Sequence, residues 1–195
     1  MCLMTGVLNL NQYMIQEKFW KIFGNKFWFR DAENRTHGFC EQKRFKIKED
    51  IRIYSDETKS HEWLKIKQRQ VIDAWGGFDI VDSQSSELIG TVRRKYWASI
   101  LRTRWHLLDA QGTEIGVLME DSMGYALARR LLLGILLPKK FSVMIGGLEE
   151  FVTIRQMFNP FLKKTVVNIP PNYPLDRRFI AGLGIVIAAV DSRGK

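Results

Sequence analysis

The side chains best equipped for chemistry in this chain are arginines. The run TVRRKYWASILRTRW, Thr91 to Trp105, holds Arg93, Arg94, Lys95, Arg102 and Arg104 without an acidic residue, interleaved with Tyr96, Trp97 and Trp105. A guanidinium is a planar fork of donors that matches phosphate oxygens, and Trp or Tyr suits an interfacial or stacking contact. These cations are the candidate site for an anionic ligand. The competing reading is a solvated strand pair whose aromatics face the core, the ordinary fate of a charged run. A second group, Lys43, Arg44, Lys46, Lys48 and Arg52, is diluted by Glu41, Glu49 and Asp50 and reads as the lysine-protected edge of a sheet. Arg129-Arg130 and Lys139-Lys140 bracket the apolar stretch Leu131–Leu137, which reads as a helix packed on the protein in preference to an amphipathic membrane contact.

Other chemistry is poorly represented. His37, His61 and His106 lie far apart, with no HxxxH or HExxH spacing for a metal. There is no GxSxG elbow and no GxxxxGK phosphate loop. Cys40 follows His37 by three residues, a weak signal for a thiol nucleophile, and no set of residues supplies a nucleophile, a base and a group to orient it. The sequence predicts neither catalysis, nor a cofactor, nor a metal site. Two cysteines, Cys2 and Cys40, are too few for a disulfide framework and suit a reducing cytosol.

Composition bounds the partners. Among 195 residues, 30 Lys and Arg against 21 Asp and Glu leave a net charge of +9. That excess favours an anionic partner, whether phospholipid, nucleic acid or a phosphorylated molecule, without choosing among them. With 46% hydrophobic and 12% aromatic residues, the chain is neither disordered nor collagen-like, and its length suits one domain. Met1 to Asn11 lacks the basic and apolar regions of a signal peptide. Leu131–Leu137 and Phe179–Val190 are both too short to span a bilayer, which takes about 20 apolar residues. The expectation is a cytoplasmic protein, soluble or peripheral to a membrane.

The elements that position the arginines follow from a weak internal repeat. Its copies are FWFRDAENRTHGF (Phe27–Phe39), FDIVDSQSSELIGTV (Phe78–Val92) and WHLLDAQGTEIGVL (Trp105–Leu118). Each has an aromatic-apolar strand, an Asp opening a turn, and a Gly in the next strand, with Asp-to-Gly separations of 7, 8 and 7 residues. Asp side chains bond their own backbone and start turns, so each copy predicts a β-hairpin. Period-two alternation adds strands at Phe45–Lys48, Ile51–Ile53 and Leu64–Lys67, and further strands fit 141–145, 151–154 and 165–169. Many short antiparallel strands at hairpin spacing imply a sandwich or barrel.

Two helices interrupt the strands. One is expected over Met123–Leu137, capped by Asp121-Ser122. The other runs from about 175 to 190, where Phe179, Ile180, Leu183, Ile185, Val186, Ile187 and Val190 surround the whole circumference. A helix apolar all round must be enclosed, and Gly182 and Gly184 would let neighbouring backbone approach it. A hydrophobic helix wrapped by sheet is the economical arrangement.

These hairpins, followed by NYPLDRRFIAGLGIVIAAVD, resemble the tubby C-terminal-like superfamily. The branch is that of phospholipid scramblases and plant LURP-one-related proteins, with their bacterial relatives. The resemblance covers about Tyr13 to Val190, leaving residues 1–12 as an extension and 13–195 as one domain. It implies a mainly β fold, a closed antiparallel barrel of about twelve strands enclosing the C-terminal helix, with one additional helix. It also implies a non-enzymatic module for anionic phospholipid headgroups or a membrane surface. The alternative is a nucleic-acid-binding or protein-interaction module using the same basic surface. The scramblases' Asp-rich calcium segment is missing: the corresponding stretch, KKTVVNIPPNYPLD, has Asp176 as its only acid. Calcium dependence does not carry over.

Overall fold

The computed structural model describes residues 6–20, 24–42, 50–69, 75–95, 104–120, 139–157 and 162–191. Within them the chain forms twelve strands. These are β1 (Gln12–Trp20), β2 (Gly24–Arg30), β3 (Thr36–Gln42), β4 (Asp50–Tyr54), β5 (Glu62–Gln68) and β6 (Trp75–Asp82). They continue as β7 (Leu88–Lys95), β8 (Arg104–Leu108), β9 (Glu114–Glu120), β10 (Lys139–Met144), β11 (Val152–Met157) and β12 (Lys163–Asn168). A 3-10 turn, Val7–Asn9, precedes them and the helix α1, Arg177–Asp191, ends the chain. The strand expected at Phe45–Lys48 and the helix expected over Met123–Leu137 lie outside the described residues.

Each strand pairs antiparallel with the next, and β1 pairs with β12 from Gln12↔Asn168 to Glu17↔Lys163, closing a barrel. Closure removes every exposed strand edge. Period two then sends alternate residues inward: Tyr13 and Ile15 on β1, Phe27 and Phe29 on β2, Ile51 and Ile53 on β4, and Leu64 and Ile66 on β5 are all buried.

The helix fills the space these residues enclose. Phe179, Ile180, Leu183, Ile185, Val186 and Ile187 are at most 3% exposed, on every side of α1; the side chain of Val190 lies outside the described residues. The two helix glycines sit where α1 comes nearest the wall. A Cβ on Gly182 would stand 2.8 Å from Cδ1 of Ile80 on β6, and one on Gly184 would stand 2.8 Å from Cδ1 of Ile15 on β1. The helix costs some propensity at these positions and gains a fit inside a ring of β-branched side chains. Among the described residues no helix is long and apolar enough to cross a membrane.

The repeat corresponds to three hairpins of one design, β2–β3, β6–β7 and β8–β9. In each, the Asp backbone N–H closes the turn: Asp31 to Arg35 O at 3.1 Å, Asp82 to Glu87 O at 2.9 Å and Asp109 to Thr113 O at 2.9 Å. The Asp carboxylate accepts further backbone N–H groups, from Arg35 at 2.8 Å, from Gln84 at 2.8 Å and from Thr113 at 2.8 Å. Each strand pair carries a bulge just before the Asp, and the repeat Gly lies opposite the residue two before it: Phe29↔Gly38, Ile80↔Gly90 and Leu107↔Gly116. A Cβ on Gly90 would stand 2.6 Å from the ring of Phe179, so this hairpin is bent onto the start of the helix. The hairpin β4–β5 repeats the plan with Ser55 in the Asp position, its N–H reaching His61 O at 2.9 Å.

Candidate cationic rim

The barrel has two unlike ends. The described hairpin turns, the 3-10 turn and the start of α1 share one, called here the turn end; the opposite end is the rim. Charge at the turn end is used internally. Arg178 reaches Asp82 and Asp176, each at 2.7 Å, clasping the β6–β7 turn to the start of the helix. Arg177 donates to Leu10 O at 3.1 Å and to Asn11 Oδ1 at 2.8 Å. The Leu-Asp-Arg-Arg segment that carries the family resemblance thus does structural work here. Arg35 pairs with Asp31 at 2.7 Å and Lys59 with Glu41 at 2.6 Å.

The acids of this end titrate accordingly. Burial pushes the Asp82 carboxyl up, but the N–H groups of Ser85 and Gln84 and the guanidinium of Arg178 outweigh it and hold the group below the usual range. Asp31 behaves likewise: burial raises it, and hydrogen bonds from His37 and Arg35 bring it well below an ordinary aspartate. Hydrogen bonds from Ser55, Ser60 and Thr58 hold Asp56 low.

At the rim Arg69 likewise pairs with Asp79 at 2.7 Å, but several other cations stand differently. Arg93 on β7 and Arg104 on β8 are exposed on the outer face, near the rim ends of their strands. The structure turns Arg94 the other way. It is paired with Trp105, which is 3% exposed in the core, and its guanidinium lies 5.5 Å from the Trp105 ring centroid. Adjacent residues of a strand face opposite sides, so the run Arg93-Arg94 is divided between solvent and barrel interior. Trp105 packs against Phe78, at a centroid distance of 6.4 Å, and is not available for stacking on a ligand. The Lys95 side chain, Arg102, Tyr96 and Trp97 lie outside the described residues.

Three more cations join the outer rim from strands remote in sequence. Lys140 on β10 stands directly opposite Arg155 on β11, and Lys164 on β12 lies one step diagonally from Arg155. Among the described residues, Arg93, Arg104, Arg155 and Lys164 make no ion pair. Met157, 48% exposed, lies opposite Lys164 on the same outer face. Sequence reasoning passed over Arg155 and Lys164 because each stands in a strand without an arginine cluster. The only local signal was a lysine or arginine on the solvent phase of an alternating strand.

The remaining candidates for chemistry do not converge. His37 Nε2 lies 2.7 Å from Asp31, His106 Nδ1 lies 3.0 Å from Glu114, and His61 meets Gln84, each at a separate place on the barrel. Cys40 is fully buried, and burial pushes its thiol well above the ordinary value, away from the nucleophilic thiolate. Of the second basic group, Arg52 pairs with Glu62 at 3.0 Å on β4, which is hydrogen-bonded to β3 and β5 and is not the sheet edge expected there, and Lys43, Arg44, Lys46 and Lys48 lie outside the described residues. What the arrangement offers is a band of cations at one end of a rigid wall, suited to holding an anion. Comparison with protein-family models and with curated proteins finds no match for this chain.

Proposed function

We propose that this chain is a non-enzymatic, tubby-like binding module that docks its rim on anionic phospholipid headgroups at a membrane surface, as a peripheral protein of the cytoplasm. The observation that carries the reading is the outer band of Arg93, Arg104, Arg155 and Lys164, unpaired among the described residues, while the cations of the turn end are consumed by hydrogen bonds and ion pairs. An anionic surface supplies a counter-charge to Arg155 and Lys164, which make no ion pair among the described residues. It also receives Met157, an apolar side chain set among the charges.

Rim-first docking suits this distribution. The cations of this band lie on four strands, β7, β8, β11 and β12, but share one end of the barrel, so a flat surface meets them end-on. A single-stranded nucleic acid is favoured less, because Trp105 is buried and does not offer its ring to bases.

Sedimentation with vesicles containing about 30% phosphatidylserine, beside duplex and single-stranded oligonucleotides at two salt concentrations, tests the proposal. The expected result is binding to the acidic vesicles, weakened by salt as the Debye length falls below about 8 Å, with little shift of either oligonucleotide. Preferential oligonucleotide binding would transfer the rim to the alternative, a nucleic-acid module. Failure to bind any of these at low salt would leave the rim as a solvated surface and overturn the proposal.

A further inference from the structure

Among the described residues, the large apolar side chains left exposed are Met144, Leu148, Phe151 and Met157, and all belong to the hairpin β10–β11. Three of them sit at its turn-end tip, together with Glu149 and Glu150, which are exposed and make no ion pair among the described residues. The fourth, Met157, sits at the rim beside Lys164 and two residues from Arg155. The hairpin thus carries an acidic apolar patch at one end and a basic apolar patch at the other.

The tip is built to hold its shape. Ile145 is half-buried against the core, the Leu148 N–H closes a turn on Ile145 O at 3.2 Å, and Gly147 takes the positive φ the turn needs. The Tyr173 hydroxyl donates to Val143 O at 3.2 Å just below it. The apolar side chains therefore project from an anchored loop, and their exposure is a property of the fold.

The two patches are complementary and cannot meet within one molecule. A strand of six residues holds them apart by about 20 Å, at roughly 3.3 Å per residue. We propose that they meet between molecules: the tip of one copy, with Leu148, Phe151, Glu149 and Glu150, docks on the rim of the next, at Met157, Arg155 and Lys164. The occupant of the tip is a second copy of this chain.

Because both patches lie on one hairpin, two antiparallel copies can close as a two-fold pair, tip to rim and rim to tip, and a single tip-to-rim contact can extend head-to-tail. The apolar area is a few side chains, well below about 1,000 Å², so the association is weak, with half-assembly at about 100 µM. The net charge of +9 opposes it at very low salt, whereas at about 0.1 M salt a Debye length near 10 Å screens the distant charges and spares the contacting pairs. Assembly and membrane docking compete for the rim, but a docked copy still presents its tip.

The test is sedimentation velocity from 10 to 300 µM protein in 0.1 M salt, on wild type and two charge-reversed variants. One carries Glu149→Lys and Glu150→Lys, the other Arg155→Glu and Lys164→Glu. Circular dichroism and thermal melting first establish that both fold, as expected for positions on the outer face. The expected result is a sedimentation coefficient that rises with concentration for wild type, stays at the monomer value for each variant alone, and rises again when the two variants are mixed. A wild type that remains monomeric at 300 µM overturns the proposal, as does assembly that persists in either variant or a mixture that fails to associate. The tip variant is expected to bind acidic vesicles as wild type does, so loss of assembly and loss of vesicle binding are separately measurable.

Discussion

Replacing Arg93 and Arg94 one at a time by Glu separates two roles that adjacent residues hold. Arg93 is exposed on the outer wall and makes no ion pair among the described residues. Its reversal changes the rim charge by two units, at about 1 kcal/mol per charge near an acidic bilayer. Partitioning onto acidic vesicles should fall by about 2 kcal/mol, or roughly 30-fold. Folding stability should change by less than about 0.5 kcal/mol, as at other exposed sites.

Arg94→Glu acts on the interior. It removes a guanidinium 5.5 Å from the Trp105 ring, an interaction of about 0.5–2 kcal/mol. It also sets a carboxylate against the face of a buried indole, where a desolvated and repelled charge costs a further ~1–3 kcal/mol. The expected loss is about 2–4 kcal/mol of stability, read as a shifted urea midpoint at unchanged slope. Vesicle sedimentation and urea unfolding of both variants together decide the matter. Equal effects of the two substitutions in both assays would refute the assignment of Arg93 to the binding surface and Arg94 to the interior.

Three further outcomes follow from the packing and the turn carboxylates. Gly182→Ala should lower stability by about 1–2 kcal/mol, because the new methyl meets three carbons of Ile80 at 2.8 to 3.0 Å and the gain in helix propensity is only about 1 kcal/mol. Gly184→Ala meets chiefly the flexible Cδ1 end of Ile15 and should be close to neutral; the reverse order in chemical denaturation would show the helix seated differently. Ile185→Asp should leave no folded protein near neutral pH, since a fully buried, unpaired carboxylate must be protonated or expelled, and a midpoint change under about 1 kcal/mol would refute the enclosed helix. Asp31, Asp56 and Asp82 are held below the ordinary value of 3.8, so the unfolded chain takes up protons first as pH falls. The stability they contribute is complete above about pH 5 and is lost as pH drops below 3.8 toward the folded values; a urea midpoint constant from pH 5 to 2.5 would contradict this.

What the sequence by itself determined is what neighbouring residues decide among themselves. The Asp-to-Gly spacing marked the hairpins because an Asp carboxylate bonds backbone only a few residues away, as Asp31, Asp82 and Asp109 do. The enclosure of the C-terminal helix was legible because Phe179 to Ile187 offers water no polar side and leaves burial as the only stable state. Two things lay beyond that reach, and both concern partners distant in the chain. Closure of the barrel joins Tyr13 to Val167, a pairing whose register is set by the whole ring of strands. The composition of the cationic rim was likewise decided by the tertiary structure. Arg93 and Arg94 read alike along the chain until the phase of β7 against β8 sent one outward and the other onto Trp105. Arg155 and Lys164 joined Arg93 and Arg104 at one end of the barrel only when the alternating directions of successive strands placed them there. Charge and hydropathy are properties of a residue, whereas the face it presents is a property of its strand's register.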